Sequence, residues 1–252
     1  GAGDSGTVAA ISSRTVAENL ADILVRDFVY PETGNAYAAL LRANAASGQY
    51  DALAGDALAE RLTNDLRTIY VDGHLRVRFG APGGPRAAGP GAPARMAPPP
   101  AMEAERWIAP GIAFARFNGF PDDAAVTAQA AKFMADYADA KVIIFDIRTH
   151  RGGGLEQMDV MFPWLFDTPT RLVTMATRKS VEEHGNSPVA GIDSLKLIEA
   201  DPAFVTREHW VTPRKDSTLT KAKVYLLTSS VTGSAAEHFA LAMKHTGRGT
   251  LV

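Results

Sequence analysis

Three separated groups of residues could do chemistry. The first is Ser234, which follows the apolar run Val224–Leu227 and the corner residue Gly233 and opens the run Ser234-Ala-Ala-Glu237. A hydroxyl at a strand-to-helix corner lies where the first helical amides have no partners within the helix and where the helix dipole favours negative charge. It can attack an acyl carbon while nearby amides, Ala235 N–H among them, hold the resulting oxyanion. The same four residues form an S-x-x-E capping box, which starts many ordinary helices. The second group is His74, in Asp72-Gly-His-Leu. Its imidazole suits a general base, provided the fold brings it to Ser234, 160 positions further on; otherwise it is a lone histidine opening a strand. The third is Gly152-Gly-Gly154, directly after Arg148-Thr-His-Arg151. Bare backbone there can turn the chain or bring the amides of Gly152 and Gly153 close to a substrate. Neither GxxxxGK[ST] nor GxGxxG is present, so a phosphate cradle is excluded.

The remaining histidines carry less. His150 adjoins the glycine loop and could line a pocket. His238, one turn after Ser234, reads as part of a solvated helix face. His184, His209 and His245 have no metal-ligand spacing and there is no HExxH, so no metal and no cofactor is expected.

The elements that must position these groups follow from periodicity. Ser12 or Ser13 can cap a helix to about Val29, with Val16, Leu20, Ile23, Leu24 and Phe28 at helical spacing. Further helices are expected over about 35–46 and 56–69, the last with Leu58, Leu62, Leu66 and Ile69 in register, and then a strand, His74–Phe79, alternating apolar and basic residues. Residues 1–79 therefore read as a small helical domain ending in a strand. Residues 80–106 begin with a Gly- and Pro-rich stretch and read as a linker too short to hold an inserted binding domain. Residues 107–252 change character. Ile112–Phe117 alternates like a strand, Asp122 or Asp123 starts a helix to about Ala138, and Lys141–Ile147 is the apolar run of a strand buried on both faces. That order makes a βαβ unit with a parallel pair, and it places the glycine loop at a strand's carboxyl end, where ligands of open α/β sheets sit. A helical segment over 155–166 and a strand over 169–179 follow. Ser180–Thr220 is polar and irregular, with a short helix over Ile192–Ile198 and a strand near Val211, and reads as a surface excursion or lid.

At 252 residues the chain can bury a sizeable core or two domains. A net charge of −2, with no Lys/Arg stripe, excludes an electrostatic footprint for nucleic acid. No apolar run approaches the roughly 20 residues of a membrane span. With no cysteine, thiolate catalysis and cysteine-ligated zinc are ruled out. The first residues, Gly-Ala-Gly-Asp, lack the layout of a signal peptide.

Taken in order, Asp72-Gly-His-Leu, the loop Asp146-Ile-Arg148 to Gly154, and Ser229-Ser-Val-Thr-Gly-Ser-Ala-Ala-Glu237 resemble the motifs of the tail-specific (C-terminal-processing) serine peptidases. The similarity is closer to the branch containing interphotoreceptor retinoid-binding protein and the tricorn core. The resemblance implies a crotonase-like α/β core behind a helical N-terminal domain, a peptide or protein substrate, and a place in the periplasm or outside the cell. It implies Ser234 as nucleophile, His74 as base, and the amides of Gly152 or Gly153 and of Ala235 as the oxyanion hole. Thr149-His150-Arg151 stands where the family's loop carries an asparagine. The family's chains continue past the segment matching Gly247–Val252, so the core is expected to be cut short there, without the later lysine or acidic residue of either branch. Two other readings share the scaffold: a non-catalytic ligand-binding module, and an acyl-thioester enzyme using paired amides but not Ser234. The oligomeric state is not read from these residues.

Overall fold

The computed structural model describes residues 11–80 and 97–252. They fall into two compact units. One comprises the residues up to Pro93 together with Thr177–Ser187; the other comprises Ala94–Ala176 and Pro188–Val252.

The first unit is built on α1 (Ser13–Asp27), α2 (Pro31–Ala46) and α3 (Gly55–Ile69). The Ser12 side chain caps α1 by accepting from Thr15 N–H. Pro31 begins α2, earlier than the expected start near Asn35, because proline's fixed φ and missing N–H suit the first helical position. The helices bury Ala17, Ala21, Leu24, Tyr37, Leu41, Leu62 and Leu66. Ile23 and Ile69, expected on the apolar faces, are exposed. A side chain at Gly34 would meet Leu24 O at 2.4 Å, so α1 and α2 approach through bare backbone. The short helix α6 (Lys179–Glu183) belongs to this unit, where Arg178 donates to Phe28 O and Ser180 Oγ to Arg26 O, both at 2.7 Å. These bonds occupy carbonyls that the end of α1 leaves unpaired.

Residues 74–79 belong to neither a helix nor a strand. The alternation is real: Leu75 and Val77 pack on the helical core while Arg76 and Arg78 are exposed. Its backbone partner is a side chain, with Val77 N–H donating to Thr63 Oγ1 at 3.0 Å. Alternation specifies an in-and-out surface; it takes a second strand to make a ladder.

The second unit holds a five-stranded sheet in the order β1-β2-β3-β7-β8. Its strands are β1 (Met102–Ala109), β2 (Ile112–Phe117), β3 (Val142–Asp146), β7 (Lys223–Leu227) and β8 (Thr250–Leu251). β1 begins within the stretch expected to be linker, runs three residues past its expected end at 106, and pairs antiparallel with β2; residues 81–96 of that stretch lie outside the described residues. From β2 to β8 every pairing is parallel, with Arg116 opposite Asp146 and Asp146 opposite Leu227. The intervening helices are α4 (Ala124–Asp136), capped by the Asp123 side chain, α5 (Glu156–Met161) and α7 (Ala235–Thr246). Phe133, Phe145, Phe162 and Phe239 fill the core between helices and sheet.

A second sheet, in the order β4-β6-β5, is formed by β4 (Thr170–Arg178), β5 (Leu195–Ala200) and β6 (Phe204–Val211). The helix expected over 192–198 is therefore replaced by β5, whose ladder with β6 runs from Leu195–His209 to Ala200–Val205. The middle of the stretch expected to be an irregular excursion or lid is thus paired strand.

Candidate active site

β3 and β7 are parallel neighbours, so the loops leaving their carboxyl ends emerge side by side. The β3 exit is fixed first by charge. Asp146, with no exposed surface, accepts from Arg116 Nε and Nη2 at 2.9 and 2.7 Å, and from Arg148 Nε and Nη2 at 2.9 and 2.8 Å. Burial alone would raise this carboxyl's pKa. The hydrogen bonds from Arg148 and Arg116 outweigh it and bring the value to about 2.

Beyond Arg148 the loop turns on His150, which is fully buried with its ring edge-on to Phe120. His150 Nδ1 accepts from Gly152 N–H at 3.0 Å, which places the ring proton on Nε2, a buried nitrogen with no partner. Burial pushes its pKa down to about 4, so the ring is neutral at neutral pH. His150 therefore lines no pocket; it holds the loop from inside. Gly152 O accepts from Phe120 N–H at 2.8 Å and Gly154 N–H donates to Phe120 O at 2.7 Å. Gly153 is bridged to Phe120 by these neighbouring groups, so its own N–H turns the other way. Among the described residues that N–H has no acceptor.

The β7 exit is tied to the first loop by three bonds. Ser229 Oγ donates to Arg148 O (2.5 Å), Thr232 Oγ1 to Ile147 O (2.9 Å) and Gly233 N–H to His150 O (3.0 Å). The chain then enters α7 at Ser234 with φ 57° and ψ −120°. An ordinary N-cap is extended; positive φ in a residue with a Cβ is strained, and such strain gathers at functional sites. The capping box forms around it, with Glu237 Oε2 accepting Ser234 N–H at 2.5 Å. Ser234 is exposed. A Cβ on Gly152 would stand 2.6 Å from Ser234 Cβ and 3.0 Å from its Oγ, so the glycine loop lies directly against the serine.

The structure thus brings Ser234, Ala235, Gly152 and Gly153 together. The amide of Gly152 is engaged by His150, which leaves those of Gly153 and Ala235 without an acceptor among the described residues. His74 belongs to the helical unit. It is exposed, its N–H donates to Asp72 Oδ1 at 2.7 Å, and its Nδ1 lies 3.5 Å from the same oxygen.

His209 and His238 are unlike their sequence reading. His209 is buried, and His238 is largely buried on the inner side of α7 instead of lying on a solvated face. The two rings meet at 2.8 Å, and His209 Nε2 lies 2.8 Å from Asp159 Oδ1. Spacing along the chain could not have revealed this, because the three residues come from α5, β6 and α7. No cluster of metal-ligating side chains is present among the described residues, and no described helix is long and apolar enough to cross a membrane.

Residues 111–252 match the sequence profile of peptidase family S41. Among solved structures, a protein from Parabacteroides merdae assigned to the peptidases is 15% identical at a TM-score of 0.57, over 96% of this chain and 75% of that one. The photosystem II D1 C-terminal processing protease is 16% identical at a TM-score of 0.39, over 56% of this chain. An S41 protease from Bacteroides fragilis is 14% identical at 0.41, over 63% of this chain. The chain spans only 29% and 39% of the last two proteins. The likeness to the first is one of fold.

Proposed function

Because the chain belongs to peptidase family S41, whose profile matches more than half of its length, we propose that it is a serine peptidase with Ser234 as nucleophile. Ser234 Oγ attacks the scissile carbonyl, the N–H groups of Gly153 and Ala235 hold the oxyanion, and an acyl-enzyme forms and is then hydrolysed by water. His74 is the proposed base. Asp72, 3.5 Å from its Nδ1, favours the Nδ1–H tautomer and leaves Nε2 to take the serine proton. The α/β unit is proposed to be a crotonase-like core preceded by a helical domain, and the protein to act on peptides or proteins outside the cytoplasm, as the resemblance implies.

One observation carries this reading: an exposed serine held at φ 57° on a strand-to-helix corner, with a glycine loop pressed against it. A serine serving only as a cap has no need of that conformation.

A fluorophosphonate probe is expected to label Ser234, and Ser234→Ala is expected to lose labelling and peptide hydrolysis by about a thousandfold or more while retaining its fold. Unlabelled protein, or hydrolysis that survives Ser234→Ala, would overturn the assignment. His74→Ala separates the base from the nucleophile: it should slow labelling without removing the labelled site.

A further inference from the structure

Gly153 offers a carbonyl as well as an amide. Phe120 N–H donates to Gly152 O at 2.8 Å, and Gly154 N–H donates to Phe120 O at 2.7 Å. These two bonds flank Gly153 and make the parallel bridge that joins it to Phe120. A residue bridged in this way turns its own N–H and C=O to the opposite side of the chain. The close approach agrees: a Cβ on Gly153 would stand 1.8 Å from Phe120 O, so an α-hydrogen faces Phe120, as it does between paired strands.

The outward edge is open. Neither Gly153 N–H nor Gly153 O has a hydrogen-bond partner among the described residues, and Gly153 is exposed. The adjacent glycines face inward, Gly152 with its N–H on His150 Nδ1 and its O on Phe120, Gly154 with its N–H on Phe120. What remains is one residue of unpaired strand, with a donor and an acceptor on the same side. It follows Gly152, where a Cβ would stand 3.0 Å from Ser234 Oγ.

Unpaired strand edges take up extended peptides. With a substrate carbonyl on Gly153 N–H, the direction of the added chain decides what Gly153 O meets. Antiparallel, both bonds go to one residue, so the residue under attack also gives its N–H to Gly153 O. Parallel, the second bond falls two residues further on, beyond the scissile bond, and is lost when that bond is cut. Only the antiparallel arrangement keeps both bonds in the acyl-enzyme.

We propose that Gly153 docks the substrate at two points: an extended peptide adds antiparallel to it, and the residue to be cleaved places its carbonyl oxygen on Gly153 N–H and its own backbone N–H on Gly153 O. The inference rests on the peptidase reading and narrows it to a substrate class. Peptides and N-acyl amino acids, which carry an N–H next to the attacked acyl group, meet both atoms; a plain acyl ester or thioester meets only the donor.

The test compares two acetyl-dipeptide diphenyl phosphonates, identical except that the backbone N–H beside the phosphorus-bearing carbon is kept or replaced by an ester oxygen. Ser234 Oγ displaces a phenoxide from phosphorus, and intact mass spectrometry follows the adduct. The ester analogue is expected to react at least about tenfold more slowly. The same replacement one residue further from phosphorus should leave the rate within about threefold, because that group faces away from Gly153. A crystal structure of the adduct should place the retained nitrogen about 3 Å from Gly153 O. Equal rates for the pair, an equal loss from the distant replacement, or that N–H on another carbonyl overturns the proposal. If neither phosphonate reacts while an alkyl fluorophosphonate labels Ser234, the docking is overturned and the nucleophile stands. If no probe labels Ser234, both fall together.

Discussion

The exits of β3 and β7 lie side by side and do opposite things with the same resource, the backbone amide. The β3 exit is clamped by buried side chains, Asp146 on two arginines and His150 on Gly152 N–H, and the amide of Gly153 is left without an acceptor among the described residues. The β7 exit is held from outside by hydroxyls on the first loop's carbonyls and by Glu237 on Ser234 N–H, and it keeps a strained residue at its tip. One loop is a rigid template and the other is bent over it. The template should therefore tolerate change far less well than the strained serine it supports.

The sharpest break is Gly153→Ala. A Cβ there would lie 1.8 Å from Phe120 O, in a backbone at φ 131°, and neither the carbonyl nor the bridge can yield without opening the loop. A destabilisation of roughly 4 kcal/mol or more is expected, visible in chemical denaturation; a variant within about 1 kcal/mol of the parent would show that the loop is not rigid.

The second way to separate the exits is by acid, because only the template holds a buried histidine. His150 has a folded pKa of about 4 against an ordinary 6.5, so the unfolded chain binds the proton first. Stability is full above pH 6.5, falls as pH drops towards 4 and levels off below, by roughly 3 kcal/mol for this group. His238, also held near 4, contributes in the same window. Asp146 acts lower: its depressed carboxyl stabilises the fold above pH 3.8, and that stability is lost as pH falls through about 2. His150→Asn retains an acceptor for Gly152 N–H and should reduce the upper slope to the part that His238 contributes, while leaving the lower one. An unchanged slope between pH 6.5 and 4 would remove His150 from the account.

How legible these exits were in the sequence differs for physical reasons. Gly152–Gly154 after a buried strand and Ser234-x-x-Glu237 after Gly233 are local signals, and the structure brings those residues together. The conformation of Ser234 had no local signal, since a serine in sequence gives no sign of positive φ. His238 was misread because α7 buries two sides: Phe239 and Met243 pack in the main core, while His238 meets His209 of the second sheet. That sheet was missed for the same reason. Leu195–Ala200 is too short for periodicity to choose between helix and strand, and its pairing with Phe204–Val211 decides it. Residues 74–79 are the converse, an alternating segment that pairs with no strand among the described residues.

A milder break of the template is Asp146→Asn. The shape is kept, but both guanidinium groups lose a charged acceptor, and about 2 kcal/mol of stability should go with it. Since Arg148 precedes the glycine loop, fluorophosphonate labelling should slow as well. A variant that lost stability but labelled at the parental rate would show that the clamp supports the sheet and not the site.

The smallest effect has the opposite sign and tests the strained partner. At φ 57° Ser234→Ala keeps the Cβ and its strain, whereas Ser234→Gly removes both. Relief of a conformation costing about 1–3 kcal/mol is partly offset by glycine's greater freedom in the unfolded chain, about 0.5–1 kcal/mol. The glycine variant should therefore be more stable than the alanine variant by about 1 kcal/mol in thermal melts, with both devoid of labelling. Two variants melting together would mean that the corner relaxes without cost, and that the serine is not held in place by the loop beneath it.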